Sequence, residues 1–136
     1  MMDHSEIAAE GDLQAVRDIA EAIVNRLPVR ILSAPGPGMV MVRQVDPLEN
    51  TVFLLGEAYV TQCEVEVDGL PGYGCVLGSD RERALCSALL DALVAGGHAM
   101  AGELAPLLEA EEKKVRARWE ADSRAIDTTR VNIEVR

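Results

Sequence analysis

The segment from Gly78 to Arg83 carries the residue types in this chain that are most typical of a ligand site. It reads Gly-Ser-Asp-Arg-Glu-Arg and lies between an apolar strand-like run and a long helix pattern. Free backbone N–H groups and the helix dipole attract anions at a helix start, and the side chains of Ser79, Arg81 and Arg83 would assist. The segment therefore predicts contact with an anionic group.

Folding alone explains the same segment. Ser79 is followed three residues later by Glu82, a capping-box pattern in which each side chain satisfies a backbone N–H group at the helix start. No phosphate-loop motif is present, and Gly72-x-Gly74 lacks the third glycine of the dinucleotide fingerprint and precedes a strand. The first interpretation is a structural corner between strand and helix, and anion binding is the alternative.

Groups that could transfer protons are scarce. The histidines are His4, in an N-terminal segment, and His98, in a link between helices. Lone histidines are usually incidental, so His98 as a general base is a minor alternative. Glu57 interrupts an apolar strand and is a candidate functional carboxylate, because a buried carboxylate needs a cation or a proton. Its other interpretation is a bulge or edge position next to Gly56.

The cysteines do not predict a metal or redox centre. Cys63, Cys75 and Cys86 are odd in number and form no Cys-x-x-Cys pair. With only two histidines, a zinc site has few ligands, so we expect no metal and no cofactor bound by this chain. We interpret the three cysteines as small buried thiols in a reducing cytoplasm.

The charge excludes two broad classes of partner. With a formal net charge of -10, the chain is not expected to bind nucleic acid or an anionic membrane. No apolar run is long enough to cross a bilayer, and the acidic start lacks the order of a secretory signal. These features predict a cytoplasmic protein, or one whose partner carries a basic patch.

Hydrophobic spacing predicts an α+β fold in a single domain, 1–136, with 1–11 flexible. We expect a mostly antiparallel sheet of four to five strands, packed by two or three helices. Asp12 is the expected N-cap of the first helix, and the Pro-Gly-Pro-Gly run is expected to form a turn. The predicted helices are 12–27, a helix with a wide apolar stripe that follows Ser79, and 103–124. The predicted strands are 29–34, 39–45, a long strand or bulged pair over 51–67, and 73–77. Within 51–67, the nearly all-apolar 51–56 is expected to be covered on both faces, and 62–67 alternates, with Cys63, Val65 and Val67 on one face.

The last predicted helix differs from the others, because its apolar stripe is narrow and its remaining faces are charged. Such a helix lies over a surface or reaches toward another chain. Trp119 is therefore either a core residue or an interface anchor. The tail alternates Val131, Ile133 and Val135, which predicts an edge strand that pairs within or between chains. A homodimer of the isolated chain is left open.

The order of several segments resembles the G subunit of the bacterial carbon–phosphorus lyase core complex, the PhnG family. The resemblance covers about residues 38 to 136, and its most specific parts are the Gly56-Glu57 strand and Gly78-x-Asp80-Arg81 leading into Ala-Leu-Leu-Asp-Ala-Leu. Thr129-Arg130-Val131 matches a C-terminal signature. The chain departs from the family pattern in three places: Arg83 replaces an expected histidine, Asn-Ile-Glu-Val replaces a Phe-rich strand, and an N-terminal Arg-Trp is missing.

The resemblance implies a place among the H, I and J subunits of an assembly that degrades organophosphonates. In that family view the G, H and I group, with the L protein, displaces adenine from ATP by a phosphonate. The product is α-D-ribose 1-methylphosphonate 5-triphosphate, and the nucleosidase chemistry lies mainly in the I subunit. The J subunit then cleaves the carbon–phosphorus bond with an iron–sulfur cluster and S-adenosylmethionine.

The resemblance thus implies a subunit of a transferase complex that is not catalytic alone and contacts chiefly the I subunit. ATP and a phosphonate are substrates of the complex, and Arg130 joins Arg81 and Arg83 as a candidate substrate contact. Trp119 and the edge strand are the expected interface. A stand-alone anion- or nucleotide-binding module is the alternative, and an independent enzyme is disfavoured by the scarcity of proton-transfer groups.

Overall fold

A computed structural model describes residues 3–46 and 48–129. In that part of the chain, three strands form one antiparallel sheet in the order β1-β2-β3. The predicted α+β class with an antiparallel sheet is confirmed. No helix among the described residues combines the length and the apolar content that crossing a membrane requires. The elements are α1 His4–Glu10, α2 Leu13–Arg26, β1 Val29–Asp46, β2 Thr51–Val67, β3 Leu70–Leu77, α3 Arg81–Ala95 and α4 Ala99–Thr129.

The sheet has fewer and longer strands than expected, because the Pro-Gly-Pro-Gly run at 35–38 is not a turn. β1 passes through it and stays paired with β2, with shifts of register between Ile31 and Ser33 and between Ser33 and Gly36. β1 is an edge strand, where prolines and bulges are tolerated because one side of the backbone needs no ladder partner. The predicted turn is therefore wrong, and two expected strands are one.

β2 is the central strand, and its second half has the predicted alternation. Cys63, Val65 and Val67 are buried on the face that the helices cover, while Glu64 is exposed on the other face. The turn to β3 consists of Asp68 and Gly69, both with positive φ (50° and 83°), as in the tight hairpin turns that match the twist of the sheet. One face of the sheet is thus core and the other is open.

α3 is the central helix of the core and packs against β2 and β3 on one side and α1 and α2 on the other. The apolar stripe predicted for this helix is confirmed, apart from Leu85, which is only half-buried. Apolar burial of this kind is the main stabilising contribution in a domain with few aromatic residues. The buried apolar residues of α3 are Ala84, Cys86, Ala88, Leu89, Leu90, Ala92 and Leu93.

The two glycines of the Gly72-x-Gly74 pattern let β3 lie directly against the backbone of α3. A Cβ atom on Gly72 would lie 2.7 Å from the Cβ of Ala92, and one on Gly74 would lie 2.6 Å from the backbone N of Ala88. Real Cβ atoms essentially never approach so closely. These glycines therefore serve close strand–helix packing and not a ligand.

The N-terminal segment packs on the body of the protein. Residues 4–10, which we expected to be flexible, form α1, and Ile7 and Ala8 are buried. Asp12 caps α2 as predicted, because its carboxylate accepts a hydrogen bond from the backbone N of Ala15. The turn between α1 and α2 is also held from α4, where Glu111 accepts a hydrogen bond from the backbone N of Asp12 at 3.1 Å.

α4 has 31 residues and is about 46 Å long at the rise of an α-helix. Its first part lies on the body, where Met100, Leu104 and Val115 are buried. Glu111 is only 3% exposed. The charges beside the narrow apolar stripe of this helix are typical of a solvated face, but Glu111 is not on one, because its carboxylate accepts a hydrogen bond from the backbone N of Asp12 in the α1–α2 turn.

Candidate functional site

The corner between β3 and α3 is held by hydrogen bonds to β2. The hydroxyl group of Thr61 donates to the carbonyl oxygen of Gly78 at 2.7 Å and accepts from the backbone N of Asp80 at 3.0 Å. Gly78 has a φ of 78°, which favours glycine because it lacks a Cβ. Thr61 is buried, so these bonds fix the start of α3 relative to the sheet.

The cap of α3 is Asp80, one residue later than the predicted capping box. Its carboxylate accepts from the backbone N of Arg83 at 3.1 Å, and the helix begins at Arg81. Glu82 does not reach back to the helix start, because it forms a two-pronged ion pair with Arg17 of α2 at 2.5 and 2.9 Å. The capping box of Ser79 and Glu82 is therefore wrong, although the interpretation of the segment as a structural corner is supported.

Arg83 connects α3 to the turn between α1 and α2. Its guanidinium donates to the carbonyl oxygens of Ala8 at 3.0 Å and Gly11 at 2.8 Å, and lies 3.4 Å from the carboxylate of Asp80. The side chain is 19% exposed. Its hydrogen-bonding groups thus satisfy backbone carbonyl groups of the N-terminal segment.

Ser79 and Arg81 share a surface cleft of about 360 Å³ with Tyr59 and Thr61. Arg81 is exposed and has no hydrogen-bond or ion-pair partner in the described part of the chain. An anion there would meet one free cation, while the carboxylate of Asp80 already lies at the helix start. Anion contact by these residues stays a prediction, and Arg130 lies outside the described residues.

Glu57 is on the part of β2 that extends past β3. β3 pairs with β2 only from Val60 onward, so Glu57 faces Met41 of β1 alone. The register skips one residue at this point, and Gly56 has a φ of 144°. The bulge predicted next to Gly56 is confirmed. Glu57 is exposed, and nothing among the described residues forms an ion pair with it.

His4 holds α1 against α3. Its Nε2 lies 2.9 Å from a carboxylate oxygen of Asp91, and its Nδ1 lies 2.9 Å from Asp3. The other oxygen of Asp91 accepts from the backbone N of Tyr73 on β3. One carboxylate therefore joins three elements, and His4 is a structural contact in this arrangement.

His98 precedes α4 and connects it to the β2–β3 turn. Its Nδ1 accepts a hydrogen bond from the backbone N of Met100 at 3.0 Å, so its Nε2 carries the proton that faces Asp68 at 2.9 Å. Both ring nitrogens are thus engaged. Among residues 3–46 and 48–129, no three His, Cys, Asp or Glu side chains come together as metal ligands would.

The thiol of Cys86 is expected to be unreactive in the folded chain. Burial raises its pKa from 9.0 to about 11, and burial also raises the pKa of Cys63. At pH 8 the Cys86 thiolate is then present in only about one molecule in a thousand. Mass spectrometry after treatment with iodoacetamide should show Cys86 modified about a hundredfold more slowly in the native chain than in urea.

The same shift predicts a pH dependence of stability. Because the folded-state pKa is raised, the contribution of Cys86 is fully present below pH 9 and is lost as pH rises toward about 11. The free energy of unfolding should therefore fall in this window, and it should fall less in Cys86→Ala. An identical decline in both proteins would contradict the assignment.

The extension of β1 and β2 past β3 is the most exposed apolar part of the described chain. We define the β-arm as residues 38–46 and 48–59, a two-stranded ribbon that no third strand of the described chain joins. Successive residues of β1 alternate between its two faces. On one face Met39, Met41, Val45, Val52 and Tyr59 are each between 49% and 74% exposed. We call this set the apolar face of the β-arm; Glu57 and Arg43 lie on it too.

The far part of α4 is the second protruding element. Residues 116–122 are exposed on all sides of the helix, and Trp119 is 42% exposed. Arg118 reaches back and donates to the carbonyl oxygen of Glu10 at 2.6 Å. Trp119 is thus not a core residue, which leaves the interface interpretation. The other predicted interface residues, Val131, Ile133 and Val135, lie outside the described residues.

The sequence did not reveal the β-arm. We expected 51–56 to be a strand covered on both faces because it is nearly all apolar, yet Val52 is exposed. An apolar run has the same composition whether it is buried in its own domain or covered by another chain. Composition alone therefore could not tell burial within this chain from an exposed docking surface. The glycine at Gly56 beside Glu57 predicted a bulge in this strand, but it did not predict that the strand is exposed.

The fold and the site define a small α+β protein whose buried ionisable groups join its own elements and whose protruding hairpin carries many of its exposed apolar side chains. The sequence model of a family described as "Phosphonate metabolism protein PhnG" matches residues 3–136. A protein of Rhizobium meliloti (strain 1021), named alpha-D-ribose 1-methylphosphonate 5-triphosphate synthase subunit PhnG, is 34% identical over 118 residues, which are 86% of this chain and 70% of the relative. The chain belongs to the PhnG family.

Proposed function

We propose that this chain is a subunit of α-D-ribose 1-methylphosphonate 5-triphosphate synthase in the carbon–phosphorus lyase system, and that it acts by binding other subunits and not by chemistry of its own. The observation that carries the proposal is the similarity to a protein named as a subunit of that synthase, over 86% of the chain. ATP and a phosphonate are then substrates of the assembly, located in the cytoplasm.

The use of the ionisable groups supports an accessory role. The two histidines contact Asp91 and Asp68, Arg83 contacts backbone carbonyl groups, and Glu111 contacts a backbone N–H group. A catalytic acid or base needs to meet the substrate, so groups already engaged in joining elements are poorly placed for that task. The chain instead offers two protruding elements, the β-arm and the end of α4.

Reconstitution tests the proposal directly. The chain is co-expressed with the H, I and J subunits and the L protein of its host, and formation of the ribose triphosphate product from ATP and methylphosphonate is followed by ³¹P NMR. We expect the product with the chain present, none when the chain is omitted, and none from the chain alone. Turnover of ATP by the isolated chain, or full activity without it, would contradict the proposal.

The H, I and J subunits are the proposed partners, and the I subunit is the proposed main contact of Trp119. Trp119→Ala should weaken co-purification with the I subunit by about tenfold or more, because buried tryptophans are frequent hot spots of interfaces. The melting temperature of the isolated variant should not change, since Trp119 is exposed on its own chain.

Leu107→Ala is the matched control for Trp119→Ala. Leu107 is also exposed and lies on α4, but on the part of the helix that packs on the body of the protein. It should leave co-purification unchanged. Equal retention of the I subunit by both variants would remove Trp119 from the interface.

The stand-alone anion- or nucleotide-binding module is the weaker alternative. The relative is named as a subunit of a synthase. Of the residues predicted to contact an anion, Ser79 and Arg81 lie at the described cleft, beside a helix start that already carries the carboxylate of Asp80. Calorimetry with ATP and the isolated chain separates the two functions, because only the module would release heat with ATP.

A further inference from the structure

We propose that the apolar face of the β-arm docks onto a different protein chain, which places an Arg or Lys side chain opposite Glu57. The inference extends the proposed function, because it names the surface and the chemistry of one subunit contact.

The β-arm lacks the support that a free ribbon needs. A two-stranded hairpin is marginally stable in water, and three strands or a packed helix are normally required. Only β1 and β2 pair along 51–59, and the five apolar side chains of its apolar face are at least 49% exposed. Large exposed apolar patches mark interaction sites. Burial against another chain would supply the missing layer.

The backbone of the β-arm also has an open side. β3 ends at Leu77, which pairs with Val60, and the backbone N of Gly78 still donates to the carbonyl oxygen of Tyr59 at 2.9 Å. Within the described part of the chain, β2 therefore has no strand partner from Thr51 to Ala58 on the side away from β1. Unpaired N–H and C=O groups along a strand edge accept an added strand from another protein. The partner therefore has both an apolar surface to cover and a backbone edge to complete.

Glu57 determines which charge the partner needs at this surface. It has no ion-pair partner in the part of the chain that the structure describes, and it is on a largely apolar face, opposite Met41 in the ladder. When the face is covered, Glu57 loses water, and a buried carboxylate without a cation is strongly unfavourable. Arg43 is on the same face but is paired with Leu54 in the ladder and forms no ion pair with Glu57 among the described residues. A partner that covers this face is therefore expected to bring an Arg or Lys to Glu57, which makes Glu57 a determinant of specificity.

The charge of the whole chain disfavours a second copy as the partner. Two copies carry a formal charge of -10 each and repel one another, whereas a basic surface is attracted. Arg43 lies on the same face and could face Glu57 of a second copy, so self-association is the competing outcome of the test.

Site-specific photo-cross-linking in the native host tests the docking surface. The photoreactive residue benzoylphenylalanine replaces Met41, which is 56% exposed, in one variant and Leu107, which is 52% exposed on α4, in the other. Cross-linked products are identified by mass spectrometry. We expect Met41 to capture one defined chain other than itself, and Leu107 not to capture that chain. A cross-link between two copies, or none at Met41, overturns the inference.

Charge reversal then tests Glu57. Glu57→Lys should lower the cross-linking yield at Met41 by about tenfold or more, as expected for one partner of a buried charge pair. Reversal of the cross-linked partner's nearest Arg or Lys to Glu should restore the yield. Glu49→Lys, on the exposed turn at the end of the β-arm, is the matched control and should change little. An unchanged yield in Glu57→Lys overturns the role of this residue.

The outcomes separate this inference from the proposed function. Capture of a synthase subunit that responds to Glu57→Lys supports both. Capture of an unrelated chain that responds in the same way, together with full synthase activity without this chain, supports the docking surface and contradicts the proposed function. Synthase activity that depends on this chain, with no capture at Met41, supports the proposed function and overturns the inference.

Discussion

Replacement of Gly74 by alanine is expected to lower the free energy of unfolding by about 3 kcal/mol, as overpacking of a core without room to relax does. The added Cβ would lie 2.6 Å from the backbone N of Ala88 and would overlap the carbonyl oxygen of Ala84. Both are backbone atoms of α3, so no side chain can turn away, and the helix must shift from the sheet. Urea denaturation followed by circular dichroism measures the loss.

Two other glycines provide controls for Gly74→Ala. Gly36→Ala adds a Cβ on β1 whose nearest atom is 3.7 Å away, and Gly102→Ala adds one on α4 with nothing within 4 Å. We expect the first to be nearly neutral and the second to stabilise by about 0.5 kcal/mol, because glycine is unfavourable within a helix. If Gly74→Ala were as stable as these variants, β3 would not lie against α3 as described.

Replacement of Arg83 by alanine is expected to cost about 2 to 3 kcal/mol in the free energy of unfolding, since hydrogen bonds from a charged group are among the stronger ones. The substitution removes the donors to the carbonyl oxygens of Ala8 and Gly11, and both bonds are partly buried. It also frees α1 and the α1–α2 turn from α3. Hydrogen exchange of the α1 amides should therefore become faster in this variant.

Arg81→Ala is the matched control for Arg83→Ala, because it removes the same charge two residues away on the same helix. Arg81 is exposed and has no partner in the described part of the chain, so its loss should change stability by less than about 0.5 kcal/mol. Equal stability of the two variants would show that Arg83 does not hold the N-terminal segment.

This pair of variants also bears on anion binding at the start of α3. Arg81 and Arg83 were grouped as substrate contacts because they lie two residues apart in the sequence. In the fold, Arg83 turns to α1 while Arg81 lies at the cleft beside Tyr59. A role in substrate contact, if measured, should follow Arg81 more than Arg83.

Sequence reasoning was most accurate where the determining interactions are local. The helix spacing of α2, the cap at Asp12 and the alternation of Cys63, Val65 and Val67 were all predicted, because each depends on residues within a few positions of one another. The family resemblance was also readable, since it depends on motifs that lie along the chain.

Sequence reasoning failed where an element distant in the sequence determines the structure. The Pro-Gly-Pro-Gly run has every local mark of a turn, yet pairing with β2 keeps it extended. Glu111 has the local setting of a solvated charge, yet it is buried because its carboxylate accepts a hydrogen bond from the backbone N of Asp12, 99 residues away. The capping box of Ser79 and Glu82 does not form, because Asp80 caps α3 and Glu82 pairs with Arg17 of α2.

The amino-acid sequence by itself determined the α+β class, most helix and strand segments and the family, because periodicity, caps and motifs act over a few residues. Only the tertiary structure decided that Gly72 and Gly74 serve packing, that Arg83 joins helices, and that Glu57 stands on an uncovered apolar face. The physical reason is that burial depends on which other elements cover a residue, and sequence spacing does not specify that.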